Sequence, residues 1–225
     1  MPRPSKTIDS VDTDAGTLEL ILLGPDEWLI TMDRRALMSS RLHRSEVALA
    51  EMACRPLAGH SAPRVLVAGL GMGYTLRAAL DVLPPDAEVV TAELNPTVAL
   101  WNRGPLAGLS RNALDDPRVR LEIIDVSVLI ARAAQAKVED RYDAIVLDLY
   151  EGPYPAPQGT EDTIFGRTAL ARAHAALRPE GCFAVWSEGP VVTFEKRLKS
   201  CGFRVEYHRP KHKGPRHVVY LAWPQ

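Results

Sequence analysis

Four strand-like apolar runs, each leading into a loop and then a helix-like segment, constrain this chain more than any other feature. They are Val65-Leu66-Val67-Ala68, Glu88-Val89-Val90-Thr91-Ala92-Glu93, Val119-Arg120-Leu121-Glu122-Ile123-Ile124-Asp125 and Ala144-Ile145-Val146-Leu147-Asp148. Parallel strands buried on both faces read as near-continuous apolar runs, and their alternation with helices demands right-handed crossovers. Between them, helical spacing places Leu76, Ala79, Leu80 and Leu83 on one face, Val98 and Trp101 on a second helix opened by Asn95-Pro96, and a third helix over Val128–Ala136. After a Pro- and Gly-containing loop, 149–160, a helix at 166–177 leads into Cys182-Phe183-Ala184-Val185-Trp186. A short helix near 191–201 then precedes a last strand pair, Phe203–His208 and His217–Trp223. The expected class is α/β, a doubly wound, mostly parallel seven-stranded sheet over residues 64–225.

Ahead of this domain the pattern changes. Residues 1–16 are polar and read as a flexible tail. Leu18–Leu23 and Trp28–Met32 flank Gly24-Pro25-Asp26-Glu27, a hairpin signal, and Ser45–Cys54 has helical spacing closed by Arg55-Pro56. Residues 17–63 are therefore expected to form a small β-hairpin and helix cap. The 27 basic and 28 acidic side chains leave a formal net charge of −1, with no global attraction to nucleic acid or an anionic membrane. No run reaches the length of a membrane span. Three scattered cysteines, Cys54, Cys182 and Cys201, lack metal spacing and read as reduced residues of a cytoplasmic protein. The six histidines show no helical metal spacing either, so no metal is expected.

In an open α/β sheet, ligands bind beyond the carboxyl ends of the strands. Four such ends carry chemistry here. Gly69-Leu70-Gly71-Met72-Gly73 follows the first run, and Gly69, Gly71 and Gly73 permit positive φ and close backbone approach to a ligand. A tight strand–helix turn would explain the same residues, and the spacing departs from the dinucleotide fingerprint. Glu93, with Leu94 beside it, ends the second run; a carboxylate there can accept both ribose hydroxyls, or simply precede a helix N-terminus at Asn95. Asp125 and Val126 end the third run and suit the edge of an adenine, although Asp125 would equally serve as a helix N-cap. Asp148 ends the fourth, where its charge must be satisfied by solvent or ligand; it could position or deprotonate a nucleophile, or cap the following loop. Tyr150, Glu151 and the proline-containing loop 152–158 would form one wall of that site, and the 18–40 hairpin its lid. Arg204, Arg209, Lys211, Lys213 and Arg216 with three histidines crowd the last loop, read as a solvated turn or a receiver for an acidic substrate.

These four ends, with Ala113-Leu114-Asp115-Asp116-Pro117-Arg118-Val119, Tyr142-Asp143-Ala144-Ile145-Val146-Leu147-Asp148 and Leu177-Arg178-Pro179-Glu180-Gly181, resemble the spermidine synthase family within the class I S-adenosylmethionine-dependent methyltransferase fold. The resemblance implies that Gly69, Gly71 and Gly73 line the nucleoside, Glu93 holds the ribose, Asp125 and Val126 read adenine, and Asp148 handles the acceptor amine. It also implies a homodimer. The departures are specific: Met72 stands where that family keeps an aspartate facing the aminopropyl amine, Glu151 is all that remains of a second acid, and Leu49 and Ala50 stand in place of a polyamine-contacting Tyr and His.

The expectation is a transferase acting on a small-molecule acceptor, with S-adenosylmethionine or decarboxylated S-adenosylmethionine as co-substrate and with Asp148, Tyr150 and Glu151 at the reacting end. Loss of the acid at Met72 favours methyl transfer, with aminopropyl transfer the rival. A non-catalytic nucleoside-binding scaffold and a nicotinamide-dependent dehydrogenase are the readings from other classes.

Overall fold

The computed structural model describes residues 5–150, 152–153, 164–210 and 217–225. The chain divides into two compact units, Met1–His43 and Arg44–Gln225.

The smaller unit is an antiparallel sheet of strands β1 (Lys6–Thr13), β2 (Gly16–Gly24), β3 (Glu27–Met32) and β4 (Arg35–Ser39), in that order. The expected β2–β3 hairpin is present, with Leu20 opposite Ile30 and both buried. The expected tail is not. β1 pairs with β2 through Ser10↔Glu19 and Val11↔Leu18, yet nearly all of its side chains face water. An edge strand exposed on both faces has no apolar alternation to display, so backbone hydrogen bonds alone reveal it.

The larger unit contains a seven-stranded sheet among the described residues. Its strands are β5 (Arg64–Ala68), β6 (Glu88–Glu93), β7 (Val119–Ile123), β8 (Tyr142–Leu147), β9 (Leu177–Ser187), β10 (Phe203–His208) and β11 (Val218–Pro224), in the spatial order β10-β11-β9-β8-β5-β6-β7. β9, β8, β5, β6 and β7 are parallel; β11 runs antiparallel to both its neighbours. Val65, Leu66, Val67 and Ala68 of β5 and Ala144 through Leu147 of β8 are fully buried, as the solid apolar runs require. Each such side chain the size of Leu or Val contributes roughly 1.5–3 kcal/mol by burial.

The helices are α1 (Arg44–Cys54), α2 (Tyr74–Val82), α3 (Pro96–Arg103), α4 (Val126–Ala134), α5 (Arg167–Ala176) and α6 (Val192–Ser200). α1 was expected with the cap. It belongs instead to the larger unit, where it packs on α2, β8, β9 and β11. Leu49, Ala50, Ala53 and Cys54 are its buried apolar face. The three cysteines are free thiols, and burial pushes Cys54 and Cys182 up to about 12, out of the reactive range. No described helix is long and apolar enough to cross a membrane.

Two of the phrases that carry the resemblance are structural fasteners. Arg118 holds Asp116 through two nitrogens, each at 2.8 Å, and also donates to the carbonyls of Leu83 and Pro84 beyond α2. The arginine pulls the Asp116 carboxyl down to about 2. Asp143 accepts from the Arg64 backbone N–H at 2.7 Å and from Arg178 at 2.8 Å, tying the starts of β5, β8 and β9 together.

Candidate active site

The strand order reverses between β5 and β8. From β5 the chain proceeds outward through β6 to β7; from β8 it proceeds the other way, through β9. Crevices that bind ligands form beyond the carboxyl ends of strands at such a reversal. Gly69 follows one of these two strands and Asp148 follows the other.

Gly69, Gly71 and Gly73 all have positive φ, at 88°, 48° and 78°. The sequence left open whether a turn alone explains them, and for two of them it goes far. A Cβ on Gly69 would lie 2.1 Å from the backbone carbonyl oxygen of Asp148, and one on Gly73 would lie 2.8 Å from Ser110 Cβ. Glycine thus lets the loop press against the end of β8 and turn directly into α2. Met72, within the loop, is fully buried.

Glu93 reaches back from the end of β6 and fastens this loop. Its Oε2 accepts from the Leu70 N–H at 3.0 Å and its Oε1 from the Asn95 N–H at 2.8 Å. Burial raises the carboxyl above the ordinary range against the pull of these backbone donors. The backbone N–H groups of Leu94 and Gly71 also act on this carboxylate, so four donors from the loop and the strand end surround it. Leu94 beside it is exposed.

Asp125 is the N-cap of α4, accepting from the Ser127 N–H at 2.8 Å. The helix-cap role is therefore realised, while the side chain stays exposed and Val126 is buried. Asp125 ends its strand on the same side of the sheet as Glu93, next to β6.

Asp148 is set more tightly. Its N–H donates to the Ala68 carbonyl at 2.8 Å, and its Oδ2 accepts from the hydroxyl of buried Thr75 at the start of α2. Desolvation, reinforced by the nearby charge of Glu46, pushes the carboxyl up to about 7, against the pull of Thr75. Tyr150 is half-buried. Glu151, most of the 152–158 wall, and Lys211, Lys213 and Arg216 of the last loop lie outside the described residues.

Glu46 is the residue that sequence reasoning missed. It sits in the first turn of α1, is 7% exposed, and accepts from Ser45 Oγ at 2.6 Å. Ser45 Oγ is also 2.8 Å from Nδ1 of His217, which immediately precedes β11. In the sequence it is an acidic residue in the first turn of a helical segment, with nothing to mark it as buried. Leu49 and Ala50, on that same helix, are fully buried.

No family model matches the chain. In sequence it is 34% identical over 130 residues to the polyamine aminopropyltransferase of Prochlorococcus marinus (strain MIT 9313), covering 56% of this chain and 41% of that protein. It is 30% identical over 172 residues to the polyamine aminopropyltransferase of Mycobacterium tuberculosis, covering 73% of this chain and 32% of the relative. With that of Bacillus subtilis (strain 168) it shares 26% over 193 residues, covering 85% and 64%. The aligned part thus spans only about a third to two-fifths of the first two relatives. In structure, spermidine synthase from Thermotoga maritima superposes with a TM-score of 0.70 at 18% identity, over 96% of this chain and 72% of that one. A spermidine synthase in complex with the transition state analogue AdoDATO gives 0.72 at 17% identity, over 96% and 71%. The chain is accordingly spermidine-synthase-like: similar in sequence to the polyamine aminopropyltransferases, and built on the spermidine synthase fold.

Proposed function

We propose that this chain is an aminopropyltransferase that uses decarboxylated S-adenosylmethionine as donor and a small-molecule amine as acceptor. The observation that carries the reading is Asp148, a shielded carboxyl at the strand-order reversal, in contact range of the glycine loop and balanced near neutrality. The names of the sequence relatives support aminopropyl transfer over the methyl transfer that Met72 had favoured.

The donor, when bound, supplies a carbon already activated by an adjacent sulfonium. The protein's work is then placement, exclusion of water and removal of a proton. In this reading the positive-φ glycines bring backbone close to the nucleoside, Glu93 accepts the ribose hydroxyls and Asp125 with Val126 meets the adenine edge. Asp148 takes one proton from the acceptor's ammonium, which frees the nitrogen lone pair. The nitrogen then bonds to the propyl carbon as the carbon–sulfur bond breaks, and that electron pair goes to sulfur, leaving a neutral thioether. A base balanced near 7 suits this step, because at neutral pH it is ionised in a large fraction of molecules yet still holds a proton well. No lysine or arginine is paired with either Asp148 or Glu46 among the described residues. An incoming ammonium would supply the compensating charge.

Methyl transfer is the second reading, favoured by the apolar, fully buried Met72. The test is to incubate the protein with putrescine and either donor and to identify the nucleoside product. Methylthioadenosine from the decarboxylated donor supports the proposal. S-adenosylhomocysteine from S-adenosylmethionine, with no methylthioadenosine, overturns it.

A further inference from the structure

The glycine loop is the part of the proposed site with the least shape of its own. Three glycines of positive φ can adopt many backbone conformations, so something outside the loop must select one. Glu93 at the end of β6 takes the Leu70 N–H. A carbonyl of the loop is taken by Asn102, near the end of α3, a residue with no part in the chemistry described so far. Asn102 is 2% exposed, and its Nδ2 donates to the Gly71 carbonyl at 2.8 Å and to the Val98 carbonyl at 2.9 Å. Two carbonyls around that nitrogen fix which way the amide points.

We propose that Asn102 is a positioning residue that holds the glycine loop in the shape that receives the nucleoside. The fixed orientation of its amide leaves Oδ1 buried with no hydrogen-bond partner among the described residues. An apolar side chain would avoid the cost of that orphaned acceptor, so packing alone does not account for an asparagine here. What the amide supplies is the donor to Gly71. A trans peptide points its C=O and N–H in opposite directions, so the same bond also sets the direction of the Met72 N–H.

The chain beyond α3 closes on the same loop. Ser110 is buried, and a Cβ on Gly73 would lie 2.8 Å from Ser110 Cβ and 2.9 Å from Asn102 Oδ1. The backbone leaves Ser110 through Arg111 and Asn112, two consecutive non-glycine residues with φ of 52° and 54°. Such conformations persist only where the surroundings impose them, and they gather at ligand sites. A loop fixed before the ligand arrives spares the ligand the cost of ordering it, so the benefit is read as affinity. Asp148 is held separately, by the Ala68 carbonyl and the Thr75 hydroxyl, so the reacting end does not depend on Asn102. The role deepens the proposed function: it rests on the glycine loop lining the nucleoside, and not on which group is transferred.

The test pairs N102A with L198V, a change to a buried residue of α6 in a core cluster to which neither α2 nor α3 contributes. Calorimetry gives the affinity for methylthioadenosine, and steady-state kinetics give KM and kcat for the decarboxylated donor. N102A is expected to weaken the affinity about tenfold and to raise the donor KM to match, while kcat at saturating donor stays within about threefold. L198V, though less stable than wild type, should keep both affinity and KM. Should N102A fail to fold, N102S stands in, since its hydroxyl is one bond short of the amide nitrogen. Unchanged affinity in folded N102A or N102S overturns the proposal, as does an equal loss in L198V or a wild-type protein that does not bind methylthioadenosine. Weakened affinity in a protein that turns over neither donor would uphold the positioning role while removing the transferase reading. Turnover of the decarboxylated donor with unchanged affinity would do the reverse.

Discussion

Replacing Asp148 with asparagine should make the protein more stable above neutral pH, though Asp148 is the group on which the proposed chemistry depends. The carboxyl is raised from 3.8 to about 7 in the folded chain, a shift of roughly three units at about 1.4 kcal/mol each. Below pH 3.8 the folded and unfolded chains both hold the proton, so it has no effect. Between 3.8 and 7 the folded chain keeps a proton that the unfolded chain has released, so stability falls as pH rises. Above 7 the penalty is complete, at most about 4 kcal/mol. The asparagine amide keeps an acceptor for Thr75, but its new N–H groups cost part of the gain, leaving about 2–4 kcal/mol at pH 8.5. For a chain of this size that is a rise in melting temperature on the order of 4–16 °C. Urea unfolding of both proteins at pH 4 and pH 8.5 measures it. A D148N advantage of equal size at both pH values would refute the desolvation argument.

Three further outcomes follow from other residues. G69A should lower stability by about 3 kcal/mol or more, because its Cβ would meet the Asp148 backbone 2.1 Å away, whereas G108A, with open space around it, should be nearly neutral; thermal melts of the pair decide this. E93Q keeps one acceptor oxygen and turns a mismatched N–H toward backbone donors of the loop and strand end. It should weaken methylthioadenosine binding about tenfold or more while the protein stays folded, and calorimetry showing unchanged affinity would remove Glu93 from the site. D116N should cost about 1–3 kcal/mol at pH 7 by breaking the bidentate grip of Arg118. Because that carboxyl is lowered, its contribution is present above pH 3.8 and fades as pH falls toward 2. D116N and wild type should therefore converge in acid urea titrations.

What could be read from the sequence follows from where each residue's environment is decided. β5 and β8 are legible because a strand covered on both faces must be apolar throughout, and an acid at its end must then stand at the sheet's edge. Asp148 was visible for that reason. β1 was hidden because an exposed edge strand carries polar residues on both faces, indistinguishable from a tail. Glu46 was hidden for the opposite reason. In sequence it is an ordinary acidic residue in a helix's first turn, and only the packing of α1 on α2 and β8 buries it. Asp125 shows a third case, since the N-cap and adenine readings need the same residue at the same place and the observed cap leaves a carboxylate oxygen to spare.

The central claim is that the strand-order reversal between β5 and β8 binds an adenosyl sulfonium compound and presents it to Asp148, a base with no cationic partner among the described residues. Calorimetric titration with decarboxylated S-adenosylmethionine and with S-adenosylmethionine tests it most directly. The second donor adds a carboxylate, a negative charge that a site with the acidic Asp148 and Glu46 disfavours, so the decarboxylated donor should bind about tenfold tighter or better. Equal affinities, a preference for S-adenosylmethionine, or no heat from either donor would contradict the account.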